Sequence, residues 1–88
     1  MTNKSGDIIV RSKAIYGTNQ ANVVVSVNVA ISGYTALGVV GLSAVGTTYG
    51  FSTLYDYSVN NNTLSVVWNY AMPTNCGLYA YILYKKNS

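Results

Sequence analysis

Asp7, Asp56 and Cys76 are the groups, beside lysine amines and tyrosine phenols, that this 88-residue sequence offers for acid–base or nucleophilic chemistry. Histidine and glutamate are absent. General acid–base work rests on positioned His, Asp, Glu, Lys, Tyr or Cys, often as two groups whose pKa values are driven apart. The two carboxylates fall on different predicted strands, and nothing in the pattern brings them together. Without an imidazole, neither a Ser-His-Asp nor a Cys-His arrangement can be assembled within one chain. Cys76 stands alone, which excludes an intrachain disulfide framework, and it reads as a small buried hydrophobe. An intermolecular bridge or a nucleophilic thiol would need activating partners that the sequence does not offer. There is no zinc ligand set, and a calcium site would have to be built from the two aspartates plus carbonyls. No glycine-rich loop precedes a helix, so a phosphate cradle has no support. The expectation is a protein that is not an enzyme, holds no metal or other cofactor, and acts by presenting a surface.

Nine tyrosines, Phe51 and Trp68 carry the remaining chemistry. Aromatic rings stack on the apolar faces of sugars while asparagine amides and serine hydroxyls bond the ring hydroxyls, which is a workable glycan-reading surface. Most of these rings alternate along predicted strands, where packing in a core or an interface is the simpler account. Tyr49 and the turn Asn60, Asn61 and Asn62 lie in loops, which carry binding more often than strands do. They are the candidate ligand-binding residues.

The chain is long enough for one domain and too short for two. So small a chain buries a modest share of its surface, and assembly with copies of itself is a natural remedy. Half of the residues are apolar, yet only 8% are charged, against about 25% in ordinary globular proteins. Asn, Ser, Thr and Gly supply the polarity instead, and these are residues of turns and adaptable hydrogen-bonding surfaces. The net charge of +3 comes from Lys4, Arg11, Lys13, Lys85 and Lys86 against the two aspartates, so the cations gather near the chain ends. No basic stripe of the kind that neutralises phosphates runs through the sequence, so nucleic acid is not an expected partner. The cations read as solubilising ends of edge strands.

Alternation places six strands. Residues 7–14 form the first. In the second, Val23, Val25, Val27, Val29 and Ile31 share one side over 22–32. The third spans 36–45, with Gly38, Gly41 and Gly46 suited to bulges or close backbone approach. The fourth covers 51–59. Asn60, Asn61 and Asn62 then turn the chain tightly into a fifth over 63–70, with Leu64, Val66, Trp68 and Tyr70 on one face. After Pro73 the last strand runs over 77–86, with Leu78, Ala80, Ile82 and Tyr84 on one face and Tyr79, Tyr81 and Leu83 on the other. Both faces are apolar. One must face the core, and Tyr79, Tyr81 and Leu83 are the candidate subunit interface, unless a neighbouring sheet of the same chain covers them. The expected fold is an all-β, antiparallel β-sandwich of about six strands with jelly-roll or Greek-key connections, over residues 7–86. Residues 1–6 are expected to be a flexible polar leader. They carry no hydrophobic secretory signal, so synthesis inside a cell without signal-directed export is the expectation. The uncharged stretch from Ala14 to Tyr55 invites comparison with a membrane helix. It is interrupted by Ser26, Asn28, Ser32, Gly33, Thr35, Gly38, Gly41 and Ser43, and lacks the continuous apolar run of about 20 residues that a span requires. A membrane-active or pore-forming β protein remains a rival on that same uncharged stretch.

The run Val29-Ala-Ile-Ser-Gly-Tyr-Thr-Ala-Leu-Gly-Val-Val-Gly41, then Leu64-Ser-Val-Val-Trp-Asn69, and the ending Ala80-Tyr-Ile-Leu-Tyr-Lys-Lys86 resemble the C-terminal β domains of bacteriophage tail-fibre and tail-tip proteins. The resemblance covers most of the chain from about residue 6, and its motifs are structural, not catalytic. It implies a compact receptor-binding β-sandwich at the tip of a virion's tail, made in the host cytoplasm. Such a tip is usually a homotrimer that adsorbs the particle to a host surface receptor such as a cell-wall polysaccharide or other glycan. A structural trimerisation or decoration module of the virion, with no ligand of its own, is the alternative. Such fibres have a long shaft, whereas this sequence begins with Met1 and a polar leader, which fits either an excised tip or a stand-alone small protein.

Overall fold

The computed structural model describes residues 7–46 and 54–87, which form six strands and no helix. These are β1 (Ile8–Tyr16), β2 (Val24–Asn28), β3 (Tyr34–Val45), β4 (Leu54–Asn60), β5 (Thr63–Trp68) and β6 (Gly77–Lys86). They build two antiparallel three-stranded sheets, ordered β1-β6-β3 and β2-β5-β4. The fold is the expected all-β antiparallel sandwich. Its first strand pairs with its last and its second with its fifth, the nested wrapping of a jelly roll reduced to six strands. Only β4 and β5 are joined as a hairpin within one sheet, and every other connection crosses between sheets.

The period-2 pattern chooses which face is buried. Leu64, Val66 and Trp68 of β5 meet Leu78, Ala80, Ile82 and Tyr84 of β6 across the sandwich, with Ile15, Val29 and Met72 completing the core. Cys76 is buried as a small hydrophobe, its Sγ donating to Asn75 Oδ1 at 3.4 Å. The connection after β5 packs against the end of β1. There Gly17 N–H donates to Cys76 O at 2.9 Å and Asn19 N–H to Met72 O at 2.8 Å. A Cβ at Gly17 would collide with the Met72 carbonyl, and one at Gly77 with the Ile15 carbonyl, so backbone contact makes glycine necessary at both places.

Several strands differ from the simple alternation for local reasons. β2 is shorter than 22–32, because Asn22 takes a positive φ of 61° and Asn28 turns the chain by accepting from Ala30 N–H at 3.0 Å. β5 stops at Trp68, and Tyr70 is exposed. In β4 the register shifts between Leu54 and Asp56, so Leu54 and Val59 both turn inward although their numbers differ in parity. β3 begins at Tyr34 and carries two register shifts, each ending at a glycine, Gly38 and Gly41. The cations also need a correction. Arg11 and Lys13 lie on an edge strand as expected, but Lys85 and Lys86 end β6, which is the central strand of its sheet. Where it is described, the uncharged stretch 14–55 contributes the end of β1, strands β2 and β3 and the start of β4, and no helix.

Candidate binding surfaces

The outer face of the β1-β6-β3 sheet is apolar where a monomeric sandwich would ordinarily be polar. Register places Tyr79 between Ala14 and Ser43, Tyr81 between Ser12 and Gly41, and Leu83 between Val10 and Gly38. Ile8, Val10, Tyr16, Tyr79 and Tyr81 are 36–54% exposed on this face, and Leu83 is half-buried among them. Tyr81 sits over Gly41, where a Cβ would come within 3.5 Å of its ring, and its hydroxyl hydrogen-bonds Ser43 Oγ at 3.2 Å. The residues expected at an interface therefore form one continuous patch. Apolar side chains exposed together on one face mark an interaction site more often than singly scattered ones do.

The asparagine turn is built for structure first. Asn61 and Asn62 have φ of 53° and 58° between the paired Asn60 and Thr63, the left-handed geometry of a two-residue type I′ hairpin. Asn62 Oδ1 accepts from Ala36 N–H at 3.0 Å, and Asn62 O accepts from Val29 N–H at 2.9 Å. This hairpin thus ties β4 and β5 to the segment just after β2, through Val29, and to the start of β3, through Ala36. Asn60 and Asn61 are exposed at its tip, and Tyr49 lies outside the described residues.

A site that the strand pattern alone did not reveal lies at the open edge where β1 stands near β2. Arg11 and Lys13 occupy the same side of β1 as Ile9 and Ile15, and they pair in register with the fully buried Ile82 and Ala80. They point toward the inside of the sandwich but, being on an edge, keep their charged ends in water. Between them and the segment following β2 is a cleft of about 280 Å³, lined by Arg11, Lys13, Asn28, Val29, Ile31 and Tyr84. The Tyr84 hydroxyl donates to Val29 O at 2.5 Å. Burial pushes this phenol above its ordinary value, and the positive charge of Arg11 pulls the other way. The available signal was the interruption of an Ile9 to Ile15 core face by two cations at strand spacing. No protein-family model matches the chain, and no match is found among the curated proteins or the solved structures.

Proposed function

We propose that the chain is a noncatalytic attachment module of the bacteriophage tail-fibre or tail-tip kind. In this reading its copies associate as a homotrimer, and the assembled tip adsorbs a virion to a host-surface glycan. The observation that supports assembly is the apolar outer face of the β1-β6-β3 sheet, centred on Tyr79, Tyr81 and Leu83. A stable interface removes about 800 Å² from each partner, of which roughly 56–65% is apolar. The exposed side chains of Ile8, Val10, Tyr16, Tyr79 and Tyr81 would contribute to that apolar share. The proposed occupant is a further copy of the chain, and closure to a trimer requires this face to meet a different surface of the neighbouring copy, so that the contact repeats head to tail around a three-fold axis. The same face favours a second reading, a structural trimerisation or decoration module that assembles but binds no receptor.

Two measurements separate the readings. The mass in solution is expected to be that of a trimer, and Leu83→Lys or Tyr81→Lys is expected to return it to a monomer with the fold intact. A monomeric mass for the unaltered chain at high concentration removes the assembly step. Retention of the trimer on host cells, competed by host surface polysaccharide, supports attachment. A trimer with no retention leaves the structural module as the function.

A further inference from the structure

We propose that the cleft between β1 and the segment after β2 is an anion site, which takes a carboxylate or phosphate carried on a body the size of one sugar ring. The cleft holds more free donors than it uses on its own oxygens. Three acceptors at the cleft are already used: Asn28 Oδ1 by Ala30 N–H, Val29 O by the Tyr84 hydroxyl, and Ile31 O by Tyr34 N–H. The donors are not. Arg11 spends one N–H on Val10 O at 2.9 Å, out of the five a guanidinium carries, and Lys13 and the Asn28 amide add more. Neither Asp7 nor Asp56 lines the cleft. A concavity with two cations, surplus donors and no carboxylate among its lining residues selects a ligand that is negatively charged and rich in acceptors. Its volume of about 280 Å³ sits just below the usual range of small-molecule pockets, which suits a body about the size of a single ring inside the cleft.

Inward-pointing cations on an edge strand also guard against pairing with another strand. That role explains Arg11 and Lys13 but requires no cleft opposite them. The two roles predict different behaviour toward small anions. The anion site does not depend on the attachment reading, because the cleft lies at the β1–β2 edge and the proposed interface on the outer face of the other side of β1. A monomer that binds anions leaves this inference standing and sinks only the other.

The test is a titration of the isotopically labelled full chain by NMR with three probes, D-glucuronate, glucose 6-phosphate and glucose. Saturable shifts at the amides of Arg11, Lys13, Asn28 and Ala30 are expected with at least one of the two acids, and the tighter acid names the anionic group. Glucose is expected to bind about tenfold more weakly or worse. Arg11→Gln and Lys13→Gln, each at an exposed position, should lower affinity severalfold, and Lys85→Gln should not. Equal binding of glucose, shifts spread away from the cleft, no saturable binding of either acid, or a Lys85→Gln loss as large as that of Arg11→Gln would each overturn the site.

Discussion

Tyr84 is the residue that most directly ties the two sheets together. It belongs to β6, yet its hydroxyl reaches the carbonyl of Val29, just past the end of β2, and both residues are buried. A net hydrogen bond contributes about 0.5–1.5 kcal/mol, and leaving a buried acceptor unpaired costs about 1–3 kcal/mol. Tyr84→Phe is therefore expected to lower stability by about 1–2 kcal/mol. In urea unfolding this appears as a lower midpoint with an unchanged slope, and an unchanged midpoint would show that the bond contributes nothing. Burial of the phenol also predicts a pH dependence. Because the phenol's pKa is raised in the folded chain, the unfolded chain loses this proton first as pH rises past about 10, and stability falls from there through the folded value. Below that range the contribution is complete. The Tyr84→Phe variant should lose less stability between neutral and alkaline pH than the unaltered chain.

At the scale of elements, the β4–β5 hairpin does more than reverse the chain. Its second turn residue, Asn62, supplies both a left-handed backbone and the side-chain acceptor for Ala36 N–H, which fixes the start of β3 over the end of β4. Two substitutions separate those roles. Asn62→Gly keeps the backbone freedom and loses the cap, at a cost of about 1 kcal/mol. Asn62→Ala loses the cap and adds the steric cost of a left-handed alanine, for about 2–3 kcal/mol in all. Thermal unfolding of the pair checks the order, and equal losses would mean that the backbone preference of Asn62 contributes nothing. The edge strand β1 shows the same economy, since one element closes the core through Ile9 and Ile15 and lines the open cleft through Arg11 and Lys13.

At the scale of the whole molecule, pairing of the first strand with the last segregates the charge. Arg11, Lys13, Lys85 and Lys86 all come to the β1-β6-β3 sheet, whereas the described charge on the other sheet is Asp56. The apolar outer patch and the basic residues therefore belong to the same sheet. If copies assemble through that patch, association stabilises the folded state by mass action. The midpoint of thermal unfolding is then expected to rise with protein concentration for the unaltered chain and to be independent of it for Leu83→Lys. A midpoint independent of concentration in both would leave the outer face without a copy to cover it.

Six strands, their approximate positions and the buried face of β5 and β6 were legible in the sequence, because a strand's two faces alternate residue by residue and solvent sorts them locally. The asparagine hairpin was legible for the same reason, since left-handed backbone is a property of the residue itself. So was the patch formed by Tyr79, Tyr81 and Leu83, as one strand cannot bury both faces in a single core. What sequence pattern could not supply was the identity of neighbours. That β6 is central and β1 an edge, that one register shift in β4 reverses which residues face inward, and that cations from the two chain ends meet on one sheet all follow from pairing between distant segments. The cleft belongs to that second class. Arg11 and Lys13 face it because β1 has no strand beyond it, and only the tertiary arrangement of β1 beside the β2–β3 connection turns two inward cations into a site.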